Sequence, residues 1–393
     1  MKQSKLILPI IVFSQFCGAS LWFAGNGVMT DLVLNFNLEE SALGHLTSAV
    51  QFGFILGTLI FAILTIADRF SPSKVFLISA LLGSLFNAAV VWEGNSLMSI
   101  LSLRFLTGVF LAGIYPVGMK IVADYYEKGL GKSLGFLVGA LVVGTAFPHL
   151  LKGMTDVFPW QSVLIATSVL AVLGGLLMII LVPDGPYRKL GLQLNLSAFF
   201  SVFQNGKFRS AAFGYFGHMW ELYAFWAFVP LMLKTYSVEH PQIAFNIPLW
   251  SFLIIGIGGL ACVLGGHIAQ IVGTKRTAVI SLVLSCTCCL VSPLIFMVKT
   301  EGLFIGFLLF WGMVVIADSP LFSTLVAQNA PAKIKGTALT IVNCIGFSIT
   351  IISIQIINLM SEFAGSNSIY IILAVGPILG LIALRKDKMA TTH

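Results

Sequence analysis

Three ionisable side chains, Arg104, Glu221 and Asp318, stand inside apolar runs long enough to cross a bilayer. A charge at the centre of a membrane helix costs about 2.5–3.5 kcal/mol on insertion scales, so such residues are functional or paired. Glu221 lies near the midpoint of Gly214–Trp226, the segment densest in aromatic and ionisable residues. His218 comes three residues earlier, which places both side chains on one helix face. A carboxylate beside an imidazole takes up and passes protons near neutral pH; the competing reading is an interhelical hydrogen bond that fixes packing. Arg104 shares a straight-helix face with Gly108, Leu111 and Tyr115. There a guanidinium suits a bidentate bond to a substrate carboxylate, the release of a proton from a nearby acid, or a static ion pair. Asp318 precedes Pro320, which frees a backbone carbonyl and bends a helix; it reads as a second titrating acid or as a gate residue.

Around these charges the sequence offers a polar lining for a binding cavity. Gln15, Trp22 and Asn26 form a stripe at helical spacing, Gln51 falls in the next apolar run, and Asn343 and Gln355 share a late one. With Tyr115 and Tyr223 they make the set expected to contact a solute or to hydrogen-bond between helices. His45 and His149 sit toward run ends and are weaker candidates. The cluster Cys286, Cys288 and Cys289 lies on one apolar run without a second ligand pair, so it reads as small packing residues rather than a metal site. No P-loop appears, which argues against ATP-driven pumping, and no metal or cofactor is expected.

The elements that position these residues follow from composition. The 393 residues are 58% hydrophobic and 9% charged. An average soluble protein of this length would carry about 98 charges, whereas this chain has 22 Lys or Arg and 15 Asp or Glu. That deficit excludes a soluble domain, a disordered chain and a nucleic-acid binder. Continuous rather than alternating apolar runs exclude a membrane β-barrel. Punctuation by charge, Pro and Gly predicts twelve spans: 6–30, 43–67, 75–92, 97–121, 133–152, 160–182, 210–236, 248–272, 277–298, 302–326, 335–360 and 367–384. The first is expected to be retained rather than cleaved as a signal peptide. These spans divide the chain into a six-helix bundle at 1–182, a cytoplasmic linker at 183–209 and a second six-helix bundle at 210–393. Leu190 to Phe203 in the linker suits an amphipathic surface helix. With both termini cytoplasmic, 18 of the 22 basic residues lie in or beside cytoplasmic segments and only Lys152, Lys234 and Lys299 lie outside. The net charge of +7 is then topology, with no nucleic acid implied.

The halves also repeat. Pro116 and Pro320 stand 204 residues apart, and the same offset pairs Ala123-Asp124 with Ala327-Gln328. Ala67-Asp68-Arg69 follows span 2, with Lys74 beyond, and Gly266, Gly273 and Lys275-Arg276 follow span 8, where Gln270 replaces the acid. Arg104 to Gly108 reads R-x-x-x-G, and Gln328-Asn329-Ala330-Pro331 with Gly336 follows span 10. On these motifs the chain resembles the major facilitator superfamily, although the loop after span 2 lacks both of the family's glycines. Span 5 also departs: Gly144-Thr145-Ala146-Phe147-Pro148 lacks the Gly-Pro and Gly-Gly pairs of the family's antiporters.

The resemblance implies an all-α polytopic fold of twelve helices in two bundles that rock about a central cavity. It also implies a cytoplasmic gate at Asp68 and Arg69 and a link between Arg104 and coupling. The expected function is a secondary active transporter of a small organic solute, by proton-coupled symport, monomeric in the lipid bilayer of a bacterial inner membrane. A proton-antiporting exporter is the alternative and a non-transporting receptor a remote one. No enzymatic nucleophile–base pair is visible.

Overall fold

The computed structural model describes residues 6–39, 41–126, 130–154, 159–188, 202–331, 334–364 and 367–389. Its contacts sort into two compact units, Met1–Gln193 and Leu194–His393. Among the described residues every regular element is helical. The first unit contains α1 (Ile7–Ala19), α2 (Ala24–Gly27), α3 (Met29–Phe36), α4 (Ala42–Ile63), α5 (Ile66–Arg69) and α6 (Pro72–Ala89). It continues with α7 (Leu97–Leu111), α8 (Tyr115–Tyr125), α9 (Leu130–Met154) and α10 (Gln161–Leu181). The second unit contains α11 (Gly206–Glu239), α12 (Ile247–Val272), α13 (Thr274–Phe296) and α14 (Glu301–Ala317). It ends with α15 (Ser319–Asn329), α16 (Lys335–Ala364), a 3-10 turn at Asn367–Ala374 and α17 (Val375–Met389).

Among the described residues ten helices have the length and apolar composition to cross a membrane, counting α7–α8, α14–α15 and the 3-10 segment with α17 as single rods. The chain is therefore an all-α polytopic membrane protein. α11 is not among the ten, because its Trp, Tyr, His and Glu side chains dilute its hydropathy. The expected surface helix at Leu190 to Phe203 lies almost wholly outside the described residues; a short 3-10 turn at Val202–Gln204 begins where description resumes.

Four of the expected spans are broken rather than straight, the second of them near its end at Leu64–Thr65. The first separates into α1, α2 and α3, with tighter i→i+3 bonds from Leu21 to Gly18 and from Trp22 to Ala19 at the first break. The fourth and tenth break at Ala112–Ile114 and at Asp318, each just ahead of a Pro in the first turn of the next helix. A Pro lacks the N–H that would continue the ladder and is tolerated at the start of a helix.

The repeat seen in sequence is reproduced in packing. α8 and α15 are both 11 residues long and superpose in number at an offset of 204. α4 packs on α7 and α12 on α14; α1 packs on α9 and α10 as α11 does on α16 and α17. The close approach of α4 and α7 rests on Gly108, where a Cβ would fall 2.1 Å from the Val50 carbonyl oxygen. At the same offset, a Cβ on Gly312 would fall 2.0 Å from the Ile254 carbonyl oxygen. Only a residue without a Cβ permits backbone contact this close.

Candidate functional site

In the second unit, α11 carries the acid–imidazole pair expected from its spacing, but the two side chains take separate partners. Glu221, 1% exposed, accepts 2.6 Å from Trp311 Nε1 on α14 and 2.9 Å from Ser285 Oγ on α13. The Cys289 thiol faces the same carboxylate. His218 turns instead to the helix break: its Nδ1 lies 2.8 Å from Asp318 Oδ1, with both side chains 1% exposed. Asp318 sits between α14 and α15, so the interruption delivers a carboxylate to a helix packed beside it. Two atoms of this pair, His218 Nε2 and Asp318 Oδ2, are buried without a hydrogen-bond partner among the described residues. Burial without a partner costs roughly 1–3 kcal/mol for a neutral polar group. Such an arrangement can hold one proton between imidazole and carboxylate and still offer a donor or acceptor to an incoming water or solute. Phe322 and Tyr215 flank the His218 ring, at 6.3 and 6.1 Å between centroids.

In the first unit, Arg104 is 1% exposed and bonds to neutral acceptors. Its guanidinium donates 2.6 Å to the Trp22 carbonyl, 3.1 Å to the Leu21 carbonyl and 2.9 Å to Asn87 Oδ1. The two carbonyls belong to the break between α1 and α2. Asn87 passes the connection on, donating to Leu164 O, Thr167 Oγ1 and Ser168 Oγ of α10 at 2.9–3.2 Å. Gly25 admits the guanidinium, since a Cβ there would stand 3.3 Å from Arg104 Nε. The arrangement clamps α1–α2, α6, α7 and α10 around one fixed charge.

The expected cavity residues divide by environment. Gln15 and Gln51 are fully buried, and both amide atoms of each lack a hydrogen-bond partner among the described residues. Asn26 donates 2.8 Å to Thr47 Oγ1, and Trp22 packs on Phe54 at 4.8 Å between centroids. His149 is buried with Nε2 unpartnered among the described residues, while His45 is exposed. In the second unit Tyr223 is buried against Trp226 and Phe347. Asn343 and Gln355 on α16, like Tyr115 on α8, are half-buried. The cysteines of α13 are buried. No cluster of three metal-ligating side chains exists among the described residues.

At the basic end of the first unit, Asp68 pairs with Lys120 at 2.7 Å rather than with its neighbour Arg69, which donates to Thr65 Oγ1. Arg188 donates to the carbonyls of Asp68 and Phe70 and pairs with Asp184. Tyr125 donates to the Pro183 carbonyl and Ser73 to the Val182 carbonyl. A strap from Val182 to Arg188 is thus fastened across the loop that follows α4. Lys120, Arg188, Asn87, Ser285 and Trp311 were not nominated from sequence. The only local signals were the i,i+4 pairs Lys120–Asp124 and Asp184–Arg188 and an Asn and a Ser within apolar runs.

Known proteins share stretches of this sequence and its fold. The niacin transporter NiaP of Acinetobacter baylyi is 33% identical over 132 residues, 31% of this chain and 29% of its own length. The 4-hydroxybenzoate transporter PcaK of Pseudomonas aeruginosa is 28% identical over 160 residues, 38% of this chain and 32% of its own. The matched stretches thus span about a third of these relatives. In fold, the structure of the proton:xylose symporter XylE matches with a TM-score of 0.75 at 14% identity, over 98% of this chain and 96% of that one. A profile of the Major Facilitator Superfamily matches residues 11–354, and the chain belongs to that family.

Proposed function

We propose that the protein is a proton-coupled symporter of a small organic acid. It would work by alternating access between two six-helix bundles, as a monomer in a bacterial inner membrane with both termini cytoplasmic. The observation that carries the proposal is the set of buried titratable groups in the second unit: Glu221 held by two neutral donors, and His218 paired with Asp318. Neither carboxylate has a described Lys or Arg in ion-pair range. Each can therefore be discharged by a proton without stranding a buried cation.

In this reading Glu221 is the proton-linked acid, and the His218–Asp318 pair holds or relays a second proton. Gln15 and Gln51, with unspent amide groups, offer hydrogen bonds to the solute, with Trp22, Asn26, Tyr115, Tyr223, Asn343 and Gln355 as further lining. Arg104, bound to carbonyls, fixes the break in the first span, and Asp68 with Lys120 serves the cytoplasmic gate. The substrate class follows the curated relatives, whose names refer to niacin, 4-hydroxybenzoate, galactarate or D-glucarate, and D-galactonate. All are organic acids, and import of an anion with protons offsets its charge.

The test is a pair of assays on proteoliposomes with a panel of these acids. Glu221→Gln is expected to abolish accumulation driven by a proton gradient while retaining exchange of labelled for unlabelled substrate. Full accumulation by the variant overturns the assignment. Alkalisation of the side from which substrate enters supports symport, and acidification there establishes the exporter instead.

A further inference from the structure

The groups that hold the Glu221 carboxyl differ in what they can do. Trp311 Nε1 lies 2.6 Å from Oε1 and Ser285 Oγ 2.9 Å from Oε2, and the Cys289 thiol faces the same carboxyl. Glu221, Ser285, Cys289 and Trp311 are all buried, where an unmade hydrogen bond is costly. An indole N–H only donates, and a thiol is weak in both directions. A hydroxyl both donates and accepts. Ser285 also has a second acceptor in reach, because its Oγ lies 3.3 Å from the Leu282 carbonyl one turn back on α13. We propose, resting on the reading of Glu221 as the proton-linked acid, that Ser285 is a positioning residue that lets this acid change charge among packed helices by reversing the direction of their hydrogen bond.

With Glu221 ionised, Trp311 donates to Oε1 and Ser285 to Oε2, so both carboxylate oxygens are served. A proton arriving from the aqueous phase forms an O–H bond at Oε2, and that O–H donates to Ser285 Oγ. The Ser285 hydrogen rotates to the Leu282 carbonyl, and no other covalent bond is made or broken. Trp311 keeps donating to Oε1, which fixes the plane of the carboxyl and reserves Oε2 for the proton. Each of these polar hydrogens has an acceptor in both charge states. The change therefore needs one hydroxyl rotation and no movement of a helix. The titratable groups that face Glu221 are Cys286, Cys288 and Cys289 of α13 and Asp318 between α14 and α15. His218, on α11 itself, turns to Asp318. None of them is a Lys or Arg, so the charge of the anion is answered by hydrogen bonds, and the direction of those bonds matters.

The test reads the proton itself. Infrared spectra of the purified full chain in detergent are recorded through a pH titration, and the carbonyl stretch of the protonated acid is assigned by its loss in Glu221→Gln. Ser285→Ala takes a donor from the anion and an acceptor from the acid, so the titration midpoint should move by less than about half a pH unit. Its carbonyl stretch should rise in frequency, because the acid O–H has lost its acceptor. Ser285→Thr keeps a hydroxyl and should restore the wild-type band. Trp311→Phe removes a donor that serves the anion more strongly than the acid, and should move the midpoint up by about one pH unit. A Ser285→Ala midpoint that moves as far as that of Trp311→Phe makes Ser285 a fixed donor and overturns the proposal. So does an unchanged band in Ser285→Ala, a band altered by Cys289→Ala instead, or a Glu221 band that never responds to pH. Should Ser285→Ala fail to fold, Ser285→Cys, with a far weaker acceptor, gives the same comparison. If these spectra behave as expected while Glu221→Gln still accumulates substrate fully, the switch stands and the coupling role of Glu221 falls. If accumulation is lost in Glu221→Gln while Ser285→Ala keeps the wild-type band, the coupling role stands and the switch falls.

Discussion

Replacing Arg104 distinguishes a clamp from a substrate anchor. In the structure its guanidinium satisfies the Trp22 and Leu21 carbonyls and Asn87 Oδ1. Hydrogen bonds to a charged group are worth about 1.5–3 kcal/mol each, so losing three gives an upper bound of roughly 5–9 kcal/mol. Removing a buried charge also returns a desolvation penalty of several kcal/mol. The net loss for Arg104→Met is therefore about 2–5 kcal/mol. Arg104→Lys keeps the charge, but a point donor cannot span three acceptors on two elements, and about 1–3 kcal/mol should still be lost. Thermal melting in detergent should show a fall of roughly 5–10 °C for Met and a smaller one for Lys, whether or not substrate is present. A cycle with Asn87→Leu should give a coupling of about 1–3 kcal/mol, because the two side chains share one hydrogen bond. Additive losses in that cycle would refute the clamp. So would an Arg104→Lys variant of wild-type stability whose apparent substrate affinity falls tenfold or more, since that is the signature of an anion anchor.

Other expectations are more local. Gly108→Val and Gly312→Val each drive a side chain into a facing carbonyl and should lower stability by about 1–3 kcal/mol or prevent folding. Gly306→Ala, which has open space around it, should be neutral by the same melt. Asp68→Asn removes the half-exposed partner of Lys120 and should change stability by less than about 1 kcal/mol. If the pair gates the cytoplasmic side, transport rate changes more than stability does, and raised ionic strength mimics the substitution. Asp318→Asn should impair proton-driven accumulation as Glu221→Gln does, and normal coupling in that variant would remove the His218–Asp318 pair from the mechanism.

Sequence carried the outline well where its signal was local. Apolar runs located the helices, and the Pro116–Pro320 offset paired two positions that the structure places in 11-residue helices of matching register, although those spans read as unbroken in the sequence. The charges that composition singled out, Arg104, Glu221 and Asp318, are all buried. What remained hidden depended on distant partners. His218 was read with Glu221 because they are neighbours on a helix, yet it bonds to Asp318, 100 residues away. Asn87 looked like one more polar residue in a span, since its role exists only through Arg104 and α10. The break after Ala19 has no Pro to announce it, and the stripe of Gln15, Trp22 and Asn26 was drawn for a helix that does not continue. The partners of Asp68 were hidden for the same reason, because Lys120 and Arg188 reach it from another helix and from the strap.

The two glycine–carbonyl contacts carry an evolutionary implication. Gly108 on Val50 and Gly312 on Ile254 hold their helices together through main-chain atoms, which every sequence possesses. A duplicated gene can then let nearly all surrounding side chains drift without losing the joint. That freedom is visible four residues before each glycine, where one copy has Arg104 and the other Leu308. The joints are symmetric while the chemistry is not: the first half holds the Arg104 clamp and the second the buried Glu221 and His218–Asp318 groups.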